Sequence, residues 1–140
     1  MSLHPYCPVS IGELVDKLSI LKIKLRFIDD HAKRQFVTAE ADELESILAA
    51  LNLEGVALYL ERLMDVNSRL WRIEDSIREK EAQQCFDDDF IQLARAVYHT
   101  NDERFRIKNE INIHYGSGLR EMKSYKKYNF DGTDDAAQSR

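Results

Sequence analysis

The sequence predicts an all-α protein, a bundle of about four helices built around a long antiparallel hairpin over residues 56–83 and 88–115. Three observations carry this. The chain is 44% hydrophobic and 32% charged, with only 5 Gly and 2 Pro, which is rich in helix formers and poor in turn formers. Its apolar residues recur in alternating steps of three and four, the period of a helical stripe. Capping residues and a terminal glycine stand where those stripes begin and end. At 140 residues the chain fits one domain that can bury a core without staples. That domain is expected over residues 1–125, with a polar, disordered tail over 126–140.

The first nine residues read as an irregular lead-in. Ser10-Ile11-Gly12-Glu13 then has the form of a capping box, with Val9 and Leu14 spaced as a hydrophobic staple. Ile11, Leu14, Leu18, Leu21, Leu25 and Ile28 continue as a heptad seam, and the helix is expected to fray near 29–31. Thr38 is the predicted N-cap of a second helix, with Glu40 in its first turn and Leu44, Ile47, Leu48 and Leu51 on its apolar face. Asn52 to Gly55 reads as a break.

A third helix over 56–82 carries Tyr59, Leu63, Val66, Leu70, Ile73 and Ile77. Beside that seam runs a second line, Leu60, Met64, Asn67, Trp71, Glu74 and Arg78, apolar at first and polar at its end. Glu74 and Arg78 are spaced for an ion pair. Residues 83–86 form the turn, Asp87 or Asp88 caps the fourth helix, and Gly116 stops it. In the fourth helix Phe90, Leu93, Ala94 and Val97 start a stripe that Ile107, Ile111 and Tyr115 resume. Asn101, Arg104 and Lys108 interrupt it. Folding the hairpin about Phe86 sets Trp71 opposite Asn101, and Asn67 near Arg104 and Lys108. The shorter helices do not reach along the whole hairpin, so a homodimer is expected.

The blocks Ser10–Lys24, Val66–Arg78, Phe90–Tyr98, Thr100–Asn112, Gly116-Ser117 and Lys123-Ser124-Tyr125 together resemble a family of small bacterial proteins classed as a domain of unknown function. The resemblance covers Ser10 to Tyr125. It implies a single helical domain without an assigned activity and an association with surface-polysaccharide gene neighbourhoods.

The charge of −5 disfavours broad nucleic-acid or anionic-membrane binding. No run is long enough to span a bilayer, no leader is evident, and Cys7 and Cys85 match no metal spacing, so a cytoplasmic protein with reduced thiols is expected. His4, His31, His99 and His114 lack the spacing of a zinc or di-iron bundle site. No cofactor is implied. The basic run Arg120, Lys123, Lys126 and Lys127, with Tyr125 and Tyr128, reads as a solvated segment or a contact for an anionic partner.

The candidate site is the polar group in the stripe: Asn67, Trp71, Glu74, Tyr98, Asn101, Arg104 and Lys108, with Lys17 and Lys24 able to join from the first helix. Polar groups in mid-stripe cost stability unless partnered. One reading is a mutually satisfied structural layer. The other is a site for a small anion, such as a phosphate, sugar phosphate or carboxylate, held by Arg104 and Lys108 against the Trp71 wall. On the latter the chain is a non-enzymatic binding or assembly module. The competing class is an enzyme on a phosphorylated or carboxylated small molecule, with Glu74 as acid or base and Arg104 and Lys108 as anion clamps. Two further readings are weighed. Glu13, Asp16, Asp42 and Glu45 could hold magnesium as in all-α nucleotide pyrophosphohydrolases. A coiled-coil adaptor would leave the Leu14–Ile28 seam exposed.

Overall fold

The computed structural model describes residues 3–128, which form four helices and no strand. They are α1 (Ile11–Phe27), α2 (His31–Ala50), α3 (Val56–Ala82) and α4 (Asp88–His114). The hairpin of α3 and α4 is the spine, and α1 packs against each of the other three helices, while α2 lies along α1. The core therefore gathers around α1, where Leu14, Val15, Leu18 and Leu21 meet Ala41 and Leu48 of α2, Leu63 and Val66 of α3, and Ile107 and Ile111 of α4. The expected tail lies outside the described residues from 129 onward.

Local chemistry explains most of the boundaries. Ser10 caps α1 by accepting the Glu13 N–H (3.0 Å), and Asp87 caps α4 by accepting the Phe90 N–H (3.0 Å). At the end of α4 Gly116 takes a left-handed φ of 63°, and the Ser117 N–H reaches the Asn112 carbonyl (2.8 Å), the arrangement of a Schellman stop. The turn after α3 uses the same device with Gln84 at φ 54°.

Four expectations need correction. The second helix begins not at Thr38 but at His31, because Asp30 accepts the Lys33 N–H (2.9 Å) and restarts the chain only three residues after α1 ends. Thr38 lies mid-helix. The capping box is half formed: the Glu13 carboxylate goes to Lys108 (2.8 Å) rather than back to Ser10. Val9 stays about half exposed, so it is no buried staple. The Leu14–Leu21 part of the first seam is buried inside the chain itself, which removes the basis for the adaptor reading. The distal hairpin, by contrast, carries no buried residue from Trp71 to His99, since α1 and α2 end short of it.

Candidate functional site

Docking of α1 onto α4 positions the polar group. Gly12 allows it, since a Cβ there would lie 2.5 Å from the Lys108 carbonyl oxygen and 3.0 Å from Asn112 Oδ1. At this close approach the free N–H groups of the first turn of α1 find partners across the interface. Ile11 donates to Ser117 Oγ (3.1 Å) and Gly12 to the buried Asn112 Oδ1 (2.7 Å).

One turn on, Asp16 is 0% exposed and is the centre of the arrangement. Arg104 grips it in a fork, Nε to Oδ1 at 2.9 Å and an Nη to Oδ2 at 2.5 Å. Asn67 donates to the same Oδ1 (2.9 Å) and to Ser19 Oγ (2.8 Å), and Ser19 donates to the Asp16 carbonyl (2.6 Å). Lys108 lies 3.9 Å from Asp16 and 2.8 Å from both Glu13 and Glu121. The hydrogen bond to Asp16 raises the Arg104 pKa despite burial. Burial pushes Lys108 down, but its bonds to Glu121 and Glu13 outweigh that, so it is held above its ordinary 10.5. Both cations are thus charged and already matched by carboxylates.

Outside this closed layer opens a cleft of about 460 Å³, lined by Ile20, Ile23, Asn67, Leu70, Trp71, Glu74, Asp75, Asn101 and Arg104. Five of the seven predicted residues meet there. Trp71 is braced by Phe27, ring centroids 5.2 Å apart and nearly parallel. Lys108 and Tyr98 do not line it. Lys108 is turned into the layer, and Tyr98 packs outside on Tyr128 (5.1 Å). Lys17 is exposed and pairs with Glu40 (3.3 Å), and Lys24 is half-buried on α1 without lining the cleft.

The family of unknown function DUF6165 matches residues 7–133. The chain belongs to the DUF6165 family. No curated protein and no solved structure matches it. The DUF6165 match spans all four helices and the polar layer, so the layer and cleft lie within the matched region.

Of the four carboxylates weighed as a magnesium site, Asp16 and Glu13 stay together around Lys108 and the other two are engaged or exposed elsewhere. Asp16 faces Arg104, Glu13 faces Lys108, Glu45 pairs with Lys22 (3.5 Å), and Asp42 is exposed. Among the described residues no group of three or more His, Cys, Asp or Glu is placed to hold a metal ion. A larger groove of about 1150 Å³ runs along α3 and α4. Part of its charged lining is taken up by cross-links, Arg62 with Glu110 and Glu103 with Arg69 outside the lining.

Sequence reasoning missed the role of Asp16, and with it Ser19, Asn112 and Glu121. A signal existed in α1: Gly12, Asp16 and Ser19 follow at steps of four and three on one line beside the apolar seam, and small residues on such a line permit close approach of another helix.

Proposed function

We propose that this protein is a non-enzymatic binding module whose site is the Trp71 cleft, with the Asp16–Arg104–Lys108 layer as its structural floor. The observation that carries this is unspent hydrogen-bonding capacity in a concave, aromatic-walled space. Asn101 lines the cleft with no side-chain partner among the described residues, and Glu74 is engaged only by the exposed Arg78 (3.3 Å). Among the described residues the fork to Asp16 also leaves one Nη of Arg104 without a hydrogen-bond partner.

This set suits a compact, hydroxyl-bearing ligand with at most one acidic group. Asn101 and Arg104 donate to the acid, Glu74 and Asp75 accept from hydroxyls, and Trp71 supplies an apolar wall. Because Asp16 neutralises Arg104, the site acts through hydrogen bonds more than net positive charge. A sugar phosphate or sugar acid fits, in keeping with the surface-polysaccharide association of the resembling family. The enzyme reading keeps Glu74 as its acid or base, since Glu74 lines the same cleft. Self-association through the uncovered distal hairpin and a cytoplasmic location complete the proposal.

The test is a thermal-shift screen of sugars, sugar acids, sugar phosphates and small dicarboxylates against wild type and Asn101→Ala. A ligand that binds only the folded state raises Tm by mass action. Stabilisation of wild type that Asn101→Ala abolishes, with the variant otherwise melting normally, supports the site. A ligand shift that Asn101→Ala leaves intact, or no shift across the screen, rejects it.

A further inference from the structure

After α4 the chain doubles back along that helix. Arg120 donates to Asn109 (3.0 Å), Glu121 meets Lys108, Lys123 lies over the Phe105 ring (5.3 Å), and Tyr128 donates to Asp102 and packs on Tyr98 and His99. Residues 116–128 thus form a strap laid antiparallel on α4. Its one acid, Glu121, is turned inward onto Lys108, and the strap also carries Arg120, Lys123 and Lys126. Arg120 is bonded to a neutral amide and Lys123 to aromatic rings, so neither charge is cancelled by those contacts, and Lys126 is exposed. Between them stand Leu119 (47% exposed), Met122 (68%) and Tyr125 (75%). An otherwise acidic protein therefore carries here a segment in which the exposed Arg120 and Lys126 and the half-buried Lys123 alternate with uncovered apolar side chains.

We propose that this strap docks the protein reversibly on an anionic lipid bilayer, without insertion of a helix. Both halves of the surface fit that partner. Lys and Arg within a Debye length of an anionic leaflet are attracted by about 1 kcal/mol each, roughly fivefold in partitioning, and Leu119, Met122 and Tyr125 can enter the headgroup boundary. The net charge of −5 disfavours broad adhesion to an anionic leaflet, but screening confines each charge to about 8–10 Å at ordinary ionic strength, so a local basic strap can still dock. No helix among the described residues is long and apolar enough to cross a membrane, so contact of this kind is peripheral. The inference is independent of the ligand proposed for the Trp71 cleft.

The experiment is co-sedimentation of the full chain with vesicles of phosphatidylcholine alone and of phosphatidylcholine with phosphatidylglycerol. Wild type sediments with the anionic vesicles only, and binding falls as salt rises. The triple variant Arg120→Gln/Lys123→Gln/Lys126→Gln loses on the order of a hundredfold in partitioning. Met122→Ser weakens the binding that persists at high salt. Circular dichroism melts verify that each variant stays folded, since Arg120 and Lys123 also contact Asn109 and Phe105. No anionic-vesicle binding by wild type, or equal binding by the folded triple variant, overturns the proposal. So does retention on duplex oligonucleotide in place of vesicles.

Discussion

Arg104 of α4 closes on Asp16 of α1 through two parallel contacts across 88 residues of chain, and the carboxylate it grips is 0% exposed. This pair ties the second half of the hairpin to the central helix and separates a closed ionic floor from the open cleft above it. Lone buried charges are costly, so each partner makes the other tolerable.

Removing one member alone therefore strands the other. Arg104→Ala is expected to cost about 3–5 kcal/mol, read as a lower urea midpoint. The double change Asp16→Leu/Arg104→Met removes both charges together and is expected to cost much less than the single change. Equal losses in the two variants would show that the pair contributes net stability beyond mutual compensation.

Gly12→Ala provides a separate test of the α1–α4 contact. Alanine is the better helix former by about 1 kcal/mol, so propensity alone predicts stabilisation. The new Cβ would stand 2.5 Å from a backbone carbonyl that cannot swing away. The expected outcome is a net loss of about 1–3 kcal/mol by overpacking, measured by chemical denaturation. A raised midpoint would mean that α1 shifts freely on α4.

Asn112→Ala leaves the buried Gly12 N–H without its acceptor. An unsatisfied buried donor costs about 1–3 kcal/mol, and the first turn of α1 should lose amide-exchange protection before the rest of the helix. Uniform loss of protection across α1 would contradict this local role.

Acid weakens the cross-link between Arg69 and Glu103. The Arg69 hydrogen bond holds the Glu103 pKa below its ordinary 4.5. A carboxylate depressed in the folded state stabilises above its unfolded pKa, and that contribution fades as pH falls through the lower folded value. Wild type should lose more stability than Glu103→Gln between neutral pH and pH values below 4.5. The pair is partly exposed, so the difference is well under 1 kcal/mol. Parallel urea midpoints for the two proteins across that range would remove Glu103 from the account.

The distal hairpin should exchange its amides faster than residues 100–112, by about tenfold or more, because no buried side chain supports it. If copies associate through this surface, the gap closes as protein concentration rises. A concentration-independent gap would count against the proposed dimer.

Signals spanning a few residues were legible in the chain. Ser10 and Asp87 accept an N–H three residues ahead, and Gly116 can take a left-handed φ, so those boundaries follow from local chemistry. The start of α2 is ambiguous locally, because Asp30 and Thr38 are both competent caps, and Asp30, only three residues beyond the end of α1, is the one used. The hairpin register brought Asn67, Trp71, Glu74, Asn101 and Arg104 together because a short turn leaves two long helices little choice but to run antiparallel.

The sequence by itself determined the helices, the hairpin and the presence of polar side chains in an apolar stripe. Tertiary structure alone decided which of those polar groups are spent. The rotation of α1 turns Asp16 toward Arg104 rather than toward solvent, and the returning strap delivers Glu121 to Lys108. A helical period places residues on a face to within a fraction of a turn. The choice between an ion-paired floor and an open cleft depends on smaller rotations, and on contacts between segments far apart in the chain.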